Sequence, residues 1–233
     1  MTNHLKLIQQ FIRERRKLED IPESGLPFVT ISRESGAGGH LLSHVILTDF
    51  LKEESDLFRG WHVFDKLLCE VVAEDPELTN SMETLLREQY KSDFTDILES
   101  FMAGYSSQYS LYKKTFRVIA MLAAIGKVII VGRASNFVTR HLQTGIHLRL
   151  VAPEEQRVVW IAKRWKLSRD EARRTARRDD ADRRRLVRTF FHADIEDPLN
   201  YDAVWNTGAA DMHEISFSVI QMIKRRSGGG EGG

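Results

Sequence analysis

A strand followed by a glycine-rich turn and a helix is the feature that most restricts the fold of this chain. Residues 28–32 (Phe-Val-Thr-Ile-Ser) are apolar and β-branched, which is typical of a buried strand. They lead directly into a turn at 33–40 that holds three glycines, and a helical pattern follows over 41–51. Such a turn points successive backbone N–H groups into one concavity, where the helix dipole adds positive potential. The succession therefore predicts a phosphate-binding turn.

The chemistry of this turn departs from the common triphosphate-binding motif, G-x-x-x-x-G-K-[ST]. Arg33 occupies the place of the first glycine, Gly39 stands where the lysine would be, and His40 follows. Either another cation replaces the lysine or the site has lost activity. Of the two nearby candidates, Arg33 and His40, only the arginine keeps its charge at neutral pH. A tight turn without any ligand is the plainer alternative.

The rest of the chain alternates strand and helix patterns. Further strands are predicted at 61–64, 127–132, 146–151 and 201–206. A span of about sixty residues between the second and third strands is almost wholly helical in pattern, which indicates an inserted lobe. An amphipathic helix is predicted at 3–19, ahead of the first strand. Alternating strands and helices imply a parallel sheet covered on both faces.

Composition excludes several classes of protein. Lys and Arg total 34 against 33 Asp and Glu, and a net charge of +1 gives no global reason to expect nucleic acid or an anionic membrane as partner. Cys69 is the only cysteine, so disulfides within the chain and clustered thiolate metal sites are excluded. The longest apolar stretch, 118–131, falls short of the roughly 20 residues that span a bilayer. We expect a cytoplasmic globular protein.

An arginine-rich run lies at 177–185, inside a helical segment predicted over 168–190 with a capping-box pattern at its start. Arg178, Asp182 and Arg185 fall at i, i+4 and i+7 and therefore share one face of the helix. Two guanidinium groups with a carboxylate between them can clamp phosphates, and phosphoryl transfer depends on such positioned charge.

Two other interpretations of the run stay open. The first is a solvated helix stabilised by ion pairs along its surface. The second is a nucleic-acid surface, because aromatic residues that single strands stack on lie around the basic run: Trp160, Trp165, Phe190 and Phe191. We favour this second interpretation least, since helices also bury core residues at these positions.

Together these segments resemble the cytidylate kinase-like family, a branch of the P-loop nucleoside monophosphate kinases. The segment 31–40 is similar to this branch's own phosphate loop, in which the lysine is usually missing. Phe64-Asp65-Lys66 after the second strand and the segment 201–207 are also similar to the family. Gly132-Arg133 is similar to the arginine of cytidylate kinases that contacts the acceptor nucleotide, and 178–185 is similar to their lid.

The resemblance implies a P-loop NTPase-type α/β fold, with a five-stranded parallel sheet flanked by helices. The kinase-like domain would span 27–226, with an inserted helical lobe at about 66–126 and an arginine-rich lid at about 167–192. An N-terminal amphipathic helix and linker would occupy 1–26. The glycine-rich tail at 227–233 would be disordered.

The resemblance also implies an ATP- and Mg²⁺-dependent phosphotransferase whose partner is a nucleoside monophosphate or a similar small acceptor. The donor phosphates would be held by Arg33, Ser35, Gly36, Ala37, Gly38, Gly39 and His40. Arg133 and Asp65 would bind the acceptor, and Arg178, Arg185 and Asp182 would act in catalysis. No separate metal-ligand cluster is expected. The alternative is a nucleotide-binding module that senses or scaffolds without transferring phosphate, because the loop lacks both the lysine and the hydroxyl.

Overall fold

The computed structural model describes residues 2–17, 25–89 and 110–227. The strands are β1 (Phe28–Arg33), β2 (His62–Phe64), β3 (Val128–Val131), β4 (Gly145–Val151) and β5 (Ala203–Asn206). The α-helices of these residues are α1 (Thr2–Arg16), α2 (Gly39–Phe50), α3 (Lys66–Glu74), α4 (Pro76–Gln89), α5 (Ser110–Ile125), α6 (Ser135–Thr139), α7 (Glu154–Trp165), α8 (Arg169–Phe191) and α9 (Met212–Ser227). Short 3₁₀ turns cover Asp56–Phe58 and Pro198–Asn200.

The five strands form one parallel sheet in the order β2-β3-β1-β4-β5, which confirms the predicted fold class. β1 is central, with Thr30 opposite Ile130 of β3 and His147 of β4. The chain crosses from β1 toward one edge to form β2 and β3, and then returns past β1 to form β4. Because the crossovers on the two sides of β1 run in opposite directions, a crevice opens at the carboxyl end of this strand.

Both faces of the sheet are covered by helices, as a parallel sheet requires. Successive residues of β1 point to opposite faces, so Phe28 and Val29 enter different cores. The core around Phe28 includes side chains of α1, α3, α4 and α5, and the core around Val29 includes side chains of α2 and α9. The predicted strands therefore owe their long apolar runs to burial on two sides.

Helix α1 packs against the same core as the sheet. It ends at Arg16, three residues earlier than predicted, and its Ile8 and Phe11 are fully buried. Parts of three predicted segments fall on residues 18–24, 90–109 and 228–233, which lie outside the described residues. These are the predicted linker, the middle of the inserted lobe and the glycine-rich tail. No helix in the described ranges is long and apolar enough to cross a membrane.

The predicted start of the fifth strand at residue 201 is also wrong. β5 begins at Ala203, because Asp202 anchors the preceding loop: its N–H donates to the carbonyl of His147 (2.7 Å). Helix α8, in contrast, is one continuous helix, and Ser168 and Glu171 form the predicted capping box.

Candidate functional site

The glycine turn lies at the carboxyl end of β1 and leads into α2. Gly36 and Gly38 adopt φ values of +85° and +86°, which residues other than glycine rarely adopt. A Cβ at Gly36 would also lie 2.8 Å from the carbonyl oxygen of Arg157 on α7, and one at Gly38 would lie 2.6 Å from Cε of Met212 on α9. Close packing against two helices therefore fixes the shape of the turn.

Backbone N–H groups of the turn lack an acceptor within the part of the chain that the structure describes. These groups belong to Gly36, Gly38, Gly39 and His40. Two of them open α2, where the first N–H groups of a helix have no partner inside the helix. An anion is the natural acceptor at such a place, since the helix dipole and the donors both favour it. The N–H of Ala37 differs, because it donates to the carbonyl of Glu34 (3.2 Å).

The side chain of Arg33 lies next to Gly39, which occupies the position of the lysine in the common motif. A Cβ at Gly39 would lie 3.1 Å from Cγ of Arg33, and a Cβ at Gly132, after β3, would lie 2.8 Å from Cζ. The arginine side chain thus runs between two glycines that leave room for it. Burial first, and then the charges of Arg183 and Arg133, lower the pKa of Arg33 to about 9. The guanidinium remains positively charged at neutral pH.

His40, the other candidate cation, has a different charge state. Burial and the positive charge of Arg33 both lower the pKa of His40 below its usual 6.5. The imidazole is therefore mostly neutral at pH 7. Of these two side chains, Arg33 is therefore the one that carries a positive charge at pH 7.

Arg133 projects into the cleft from a strained loop at the carboxyl end of β3. Gly132, Arg133 and Ala134 all have positive φ (+85°, +56° and +54°), a conformation that costs of order 1 kcal/mol or more for each non-glycine residue. The guanidinium pairs with the carboxylate of Glu70 on α3. Its Nε is buried and has no hydrogen-bond partner among the described residues, which is a cost of about 1–3 kcal/mol that a bound anion would remove.

Asp65 lies between β2 and α3 on the same side of the sheet. Its carboxylate accepts a hydrogen bond from the N–H of Leu68 (3.0 Å) and so caps α3. Its negative charge also opposes the lowering of the pKa values of Arg33 and His40. Asp65 therefore has a structural role as a cap while facing the cations of the turn.

Helix α8 contacts the turn through a buried ionic cluster. Asp180 accepts hydrogen bonds from the backbone N–H of Ser35 (2.7 Å) and from Arg183 (2.8 Å). The hydroxyl of Ser35 lies 3.5 Å from the carboxylate of Asp179. The side chain of Arg183 is 26% exposed and lines the cleft beside Arg33.

The three lid residues singled out from the sequence are more exposed than this cluster. Their side chains are largely exposed, at 70% for Arg178, 61% for Asp182 and 77% for Arg185. Asp182 and Arg185 line the mouth of the cleft. Arg178 pairs with Asp179 (3.3 Å) and is not among the residues that line the cleft. Of the residues predicted from the sequence, the structure thus brings Arg33, Arg133, Asp182 and Arg185 to one cleft, and Arg178 does not line it.

The cleft between the turn, the inserted lobe and α8 has a volume of about 820 Å³. Three guanidinium groups from three different elements meet along it: Arg33, Arg133 and Arg183. Arg133 and Arg183 lie close enough to Arg33 to lower its pKa. Like charges at such distances repel, and they stay together only because the fold holds them. Convergence of this kind is the electrostatic mark of an anion site.

Sequence reasoning missed four charged residues at the site: Arg149, Arg157, Asp180 and Arg183. Each of these charged residues lies at a position where the pattern of its helix or strand predicts a buried apolar residue. Asp180 and Arg183 continue the helical stripe of Ala172, Ala176, Val187 and Phe190, which are buried. Arg149 is buried within apolar β4, where it lies over the ring of Tyr201 (5.7 Å). The sequence feature that could have identified these residues is a charged residue at a position predicted to be buried.

Two of the aromatic residues near the basic run belong to the core. Phe190 is 5% exposed, and Phe191 stacks on Phe137 at a centroid distance of 5.4 Å. They are therefore not available to stack on nucleotide bases. Among the described residues, no group of three or more His, Cys, Asp or Glu side chains is placed to hold a metal ion.

The fold and the cationic turn define a nucleotide kinase-like α/β protein. A profile of the cytidylate kinase-like family matches residues 28–209, and the chain belongs to this family. A crystal structure described as an uncharacterized protein from Eubacterium ventriosum is similar, with a TM-score of 0.66, 17% identity, and coverage of 86% of this chain and 99% of that chain. The TT1252 protein of Thermus thermophilus matches at a TM-score of 0.43 and 14% identity, covering 89% of this chain and 98% of that chain. A comparison with curated proteins found no match.

Proposed function

We propose that this protein is an ATP-dependent phosphotransferase that acts on a nucleoside monophosphate or a similar small phosphorylated acceptor. The observation that carries the proposal is the convergence of Arg33, Arg133 and Arg183 beside a turn with unpaired N–H groups. Transfer of a phosphoryl group needs little covalent chemistry from the protein, and depends on positive charge held around the transferred group. Membership of the cytidylate kinase-like family supports the same reaction.

The donor phosphates would bind the turn from Arg33 to His40. The unpaired N–H groups fit phosphate oxygens, and Arg33 supplies the charge that a loop lysine gives elsewhere. Arg133, whose Nε has no partner among the described residues, would bind the phosphate of the acceptor. Arg183 lines the same cleft and would stabilise the charge that develops during transfer. Water would be excluded as the lid at about 167–192 closes.

The lid residues predicted from the sequence would contact the nucleotide only at the mouth of the cleft or after the lid has moved. Asp182 and Arg185 line the mouth of the cleft and would reach a bound nucleotide as the lid closes. Arg178 does not line the cleft and would have to leave its pair with Asp179 to take part. Closure of this type brings side chains into place only once substrate is bound.

Magnesium fits the site as the ion that accompanies ATP. Mg²⁺ typically keeps several waters and takes one or two carboxylates plus substrate phosphates as ligands. His40 stands where the common motif has a metal-binding hydroxyl. Asp65, whose charge acts on both Arg33 and His40, is a carboxylate that would meet the ion through water. The ion would neutralise charge on the donor phosphates, and the arginines would orient them.

The direct test is a transfer assay with ATP and Mg²⁺ against a panel of nucleoside monophosphates that includes CMP and dCMP. We expect diphosphate product, measured by ³¹P NMR or ion-exchange chromatography, with one acceptor preferred. A correctly folded protein that gives no product with any acceptor would overturn the proposal.

A nucleotide-binding module without transfer activity is the second candidate. The observation that favours it is the pair Gly39 and His40, which removes the lysine and the hydroxyl from the loop. It predicts ATP binding measurable by calorimetry together with no turnover. The two candidates therefore differ in the transfer assay and agree in the binding assay.

A further inference from the structure

Asp180 on α8 joins three charged or polar partners from three parts of the fold. Its Oδ1 accepts hydrogen bonds from the N–H of Ser35 in the turn (2.7 Å) and from Arg183 on its own helix (2.8 Å). Its Oδ2 accepts a hydrogen bond from Arg157 on α7 (2.8 Å). The Asp180 side chain is only 12% exposed, so water competes little for these contacts. Charge-assisted hydrogen bonds of this kind are stronger than neutral ones.

Arg157 completes the connection from the other side of the turn. One of its terminal nitrogens donates to the carbonyl of Ser35 (3.0 Å) as well as to Asp180. Its Nε donates to the carbonyl of Ala152 (3.0 Å) and lies 3.3 Å from the carboxylate of Glu34. The peptide groups on both sides of Ser35 are therefore tied to α7 and α8 through one Arg–Asp pair.

The consequence of this network is geometric. Arg183 is held by the same carboxylate that holds the turn, so the distance from the Arg183 guanidinium to the turn is fixed inside the protein. Residues nearer the mouth of the cleft, such as Arg185, have no comparable connection, since the nearest carboxylate of Asp182 is 3.9 Å away. The inner part of the lid is thus fastened to the turn while the outer part is exposed.

We infer that Asp180 is a positioning residue, which fastens α8 to the phosphate-binding turn and holds Arg183 at the site where the anion binds. The inference rests on the proposed function for its meaning in catalysis, although the connection itself is independent of any reaction. Asp180 touches no substrate in this account and acts through Arg183 and Ser35.

A charge argument alone predicts the opposite effect on ligand binding. A carboxylate beside a cluster of arginines opposes the binding of an anion, so its removal should tighten ATP binding. Tighter ATP binding is also expected on removal of Asp180 if this carboxylate merely competes with phosphate for the turn. A positioning role predicts weaker binding, because the turn and Arg183 lose their common support. The sign of the change therefore separates the explanations.

The experiment compares Asp180→Asn and Asp180→Glu with the wild-type protein by calorimetric titration with ATP. We expect about tenfold weaker binding for Asp180→Asn, since the turn and Arg183 lose the charged carboxylate that holds them both. Asp180→Glu keeps the charge and changes only the reach of the carboxylate, so weaker binding is expected there too. The matched control is Asp170→Asn, an exposed aspartate in the first turn of the same helix, which should leave ATP affinity unchanged.

A second measurement does not depend on nucleotide binding or turnover. Amide hydrogen exchange at Ser35, followed by NMR, should be at least about tenfold faster in Asp180→Asn and unchanged in Asp170→Asn. Tighter ATP binding in Asp180→Asn, or unchanged exchange at Ser35, would overturn the inference. A wild-type protein that neither binds ATP nor transfers phosphate would overturn the proposed function instead, and the exchange result would still decide the role of Asp180.

Discussion

Helix α8 carries arginine and aspartate on two parts of its surface, and their surroundings differ. Asp180 and Arg183 are mostly buried: Asp180 accepts a hydrogen bond from the N–H of Ser35 in the turn, and Arg183 donates to Asp180. Arg178 and Arg185 are at least 70% exposed, and within the described residues their ion-pair partners are neighbouring carboxylates of the same helix. Exposed ion pairs contribute little, about 0–1 kcal/mol, whereas a buried charge must be held by partners or used by a ligand. Residue type is thus the same in both places, and position decides the role.

The largest effect is expected from Arg183→Ala. Removing a guanidinium held beside the transferred group should lower kcat by about 10³-fold, the range known for arginines that stabilise phosphoryl transfer. Steady-state kinetics with the preferred acceptor measure this effect. Arg174→Ala, an exposed arginine on the same helix, is the control and should stay within about twofold of wild type. An Arg183→Ala protein with wild-type kcat would remove the inner end of α8 from the reaction.

A smaller and graded effect is expected at the outer positions. Arg185→Ala should lower kcat/KM by about tenfold, because Arg185 lines the mouth of the cleft and, in the proposed function, would gain a charged contact with the nucleotide as the lid closes. Arg178→Ala should lower it by about threefold or less, through weakened long-range attraction of the nucleotide. Measuring both at low and high salt sharpens the comparison, since long-range attraction is screened. A larger loss from Arg178→Ala than from Arg183→Ala would reverse the assignment of the two parts of α8.

A similarly small effect, about threefold, is expected from the protonation of His40. Its pKa lies below 6.5 in the free protein because burial and Arg33 disfavour the charged form. A phosphate at the turn favours the charged imidazole, so binding should strengthen as pH falls below 6.5. Relative to His40→Gln, the wild-type protein should gain about threefold in ATP affinity between pH 7.5 and 5.5. Parallel pH profiles for the two proteins would show that His40 does not face the phosphates.

Much of the fold was accessible from the sequence, because buried parallel strands and amphipathic helices have distinct patterns. The turn at 33–40 was found through its glycines, whose positive φ values and close contacts require that residue. The order of the strands was not accessible, since it depends on which crossovers pass over β1. That order matters, because it brings Arg133 of the loop after β3 beside Arg33.

The part of the site on α8 shows why spacing alone is insufficient. Arg178, Asp182 and Arg185 do share one face, as their spacing requires. Which face turns inward is set by the small and apolar residues that pack below the helix, including Ala176 and Val187. Spacing fixes relative directions around a helix, and packing fixes its rotation against the rest of the protein.

The central claim is that Arg33, fixed at the end of β1, supplies the positive charge of the missing loop lysine. The measurement that tests it most directly is the ATP affinity of Arg33→Met, by calorimetry, with thermal melting to establish that the variant is folded. The account predicts about 100-fold weaker binding, from loss of a buried charge with its hydrogen bonds, and a smaller loss for Arg33→Lys. A folded Arg33→Met protein that binds ATP within about twofold of wild type would contradict the claim.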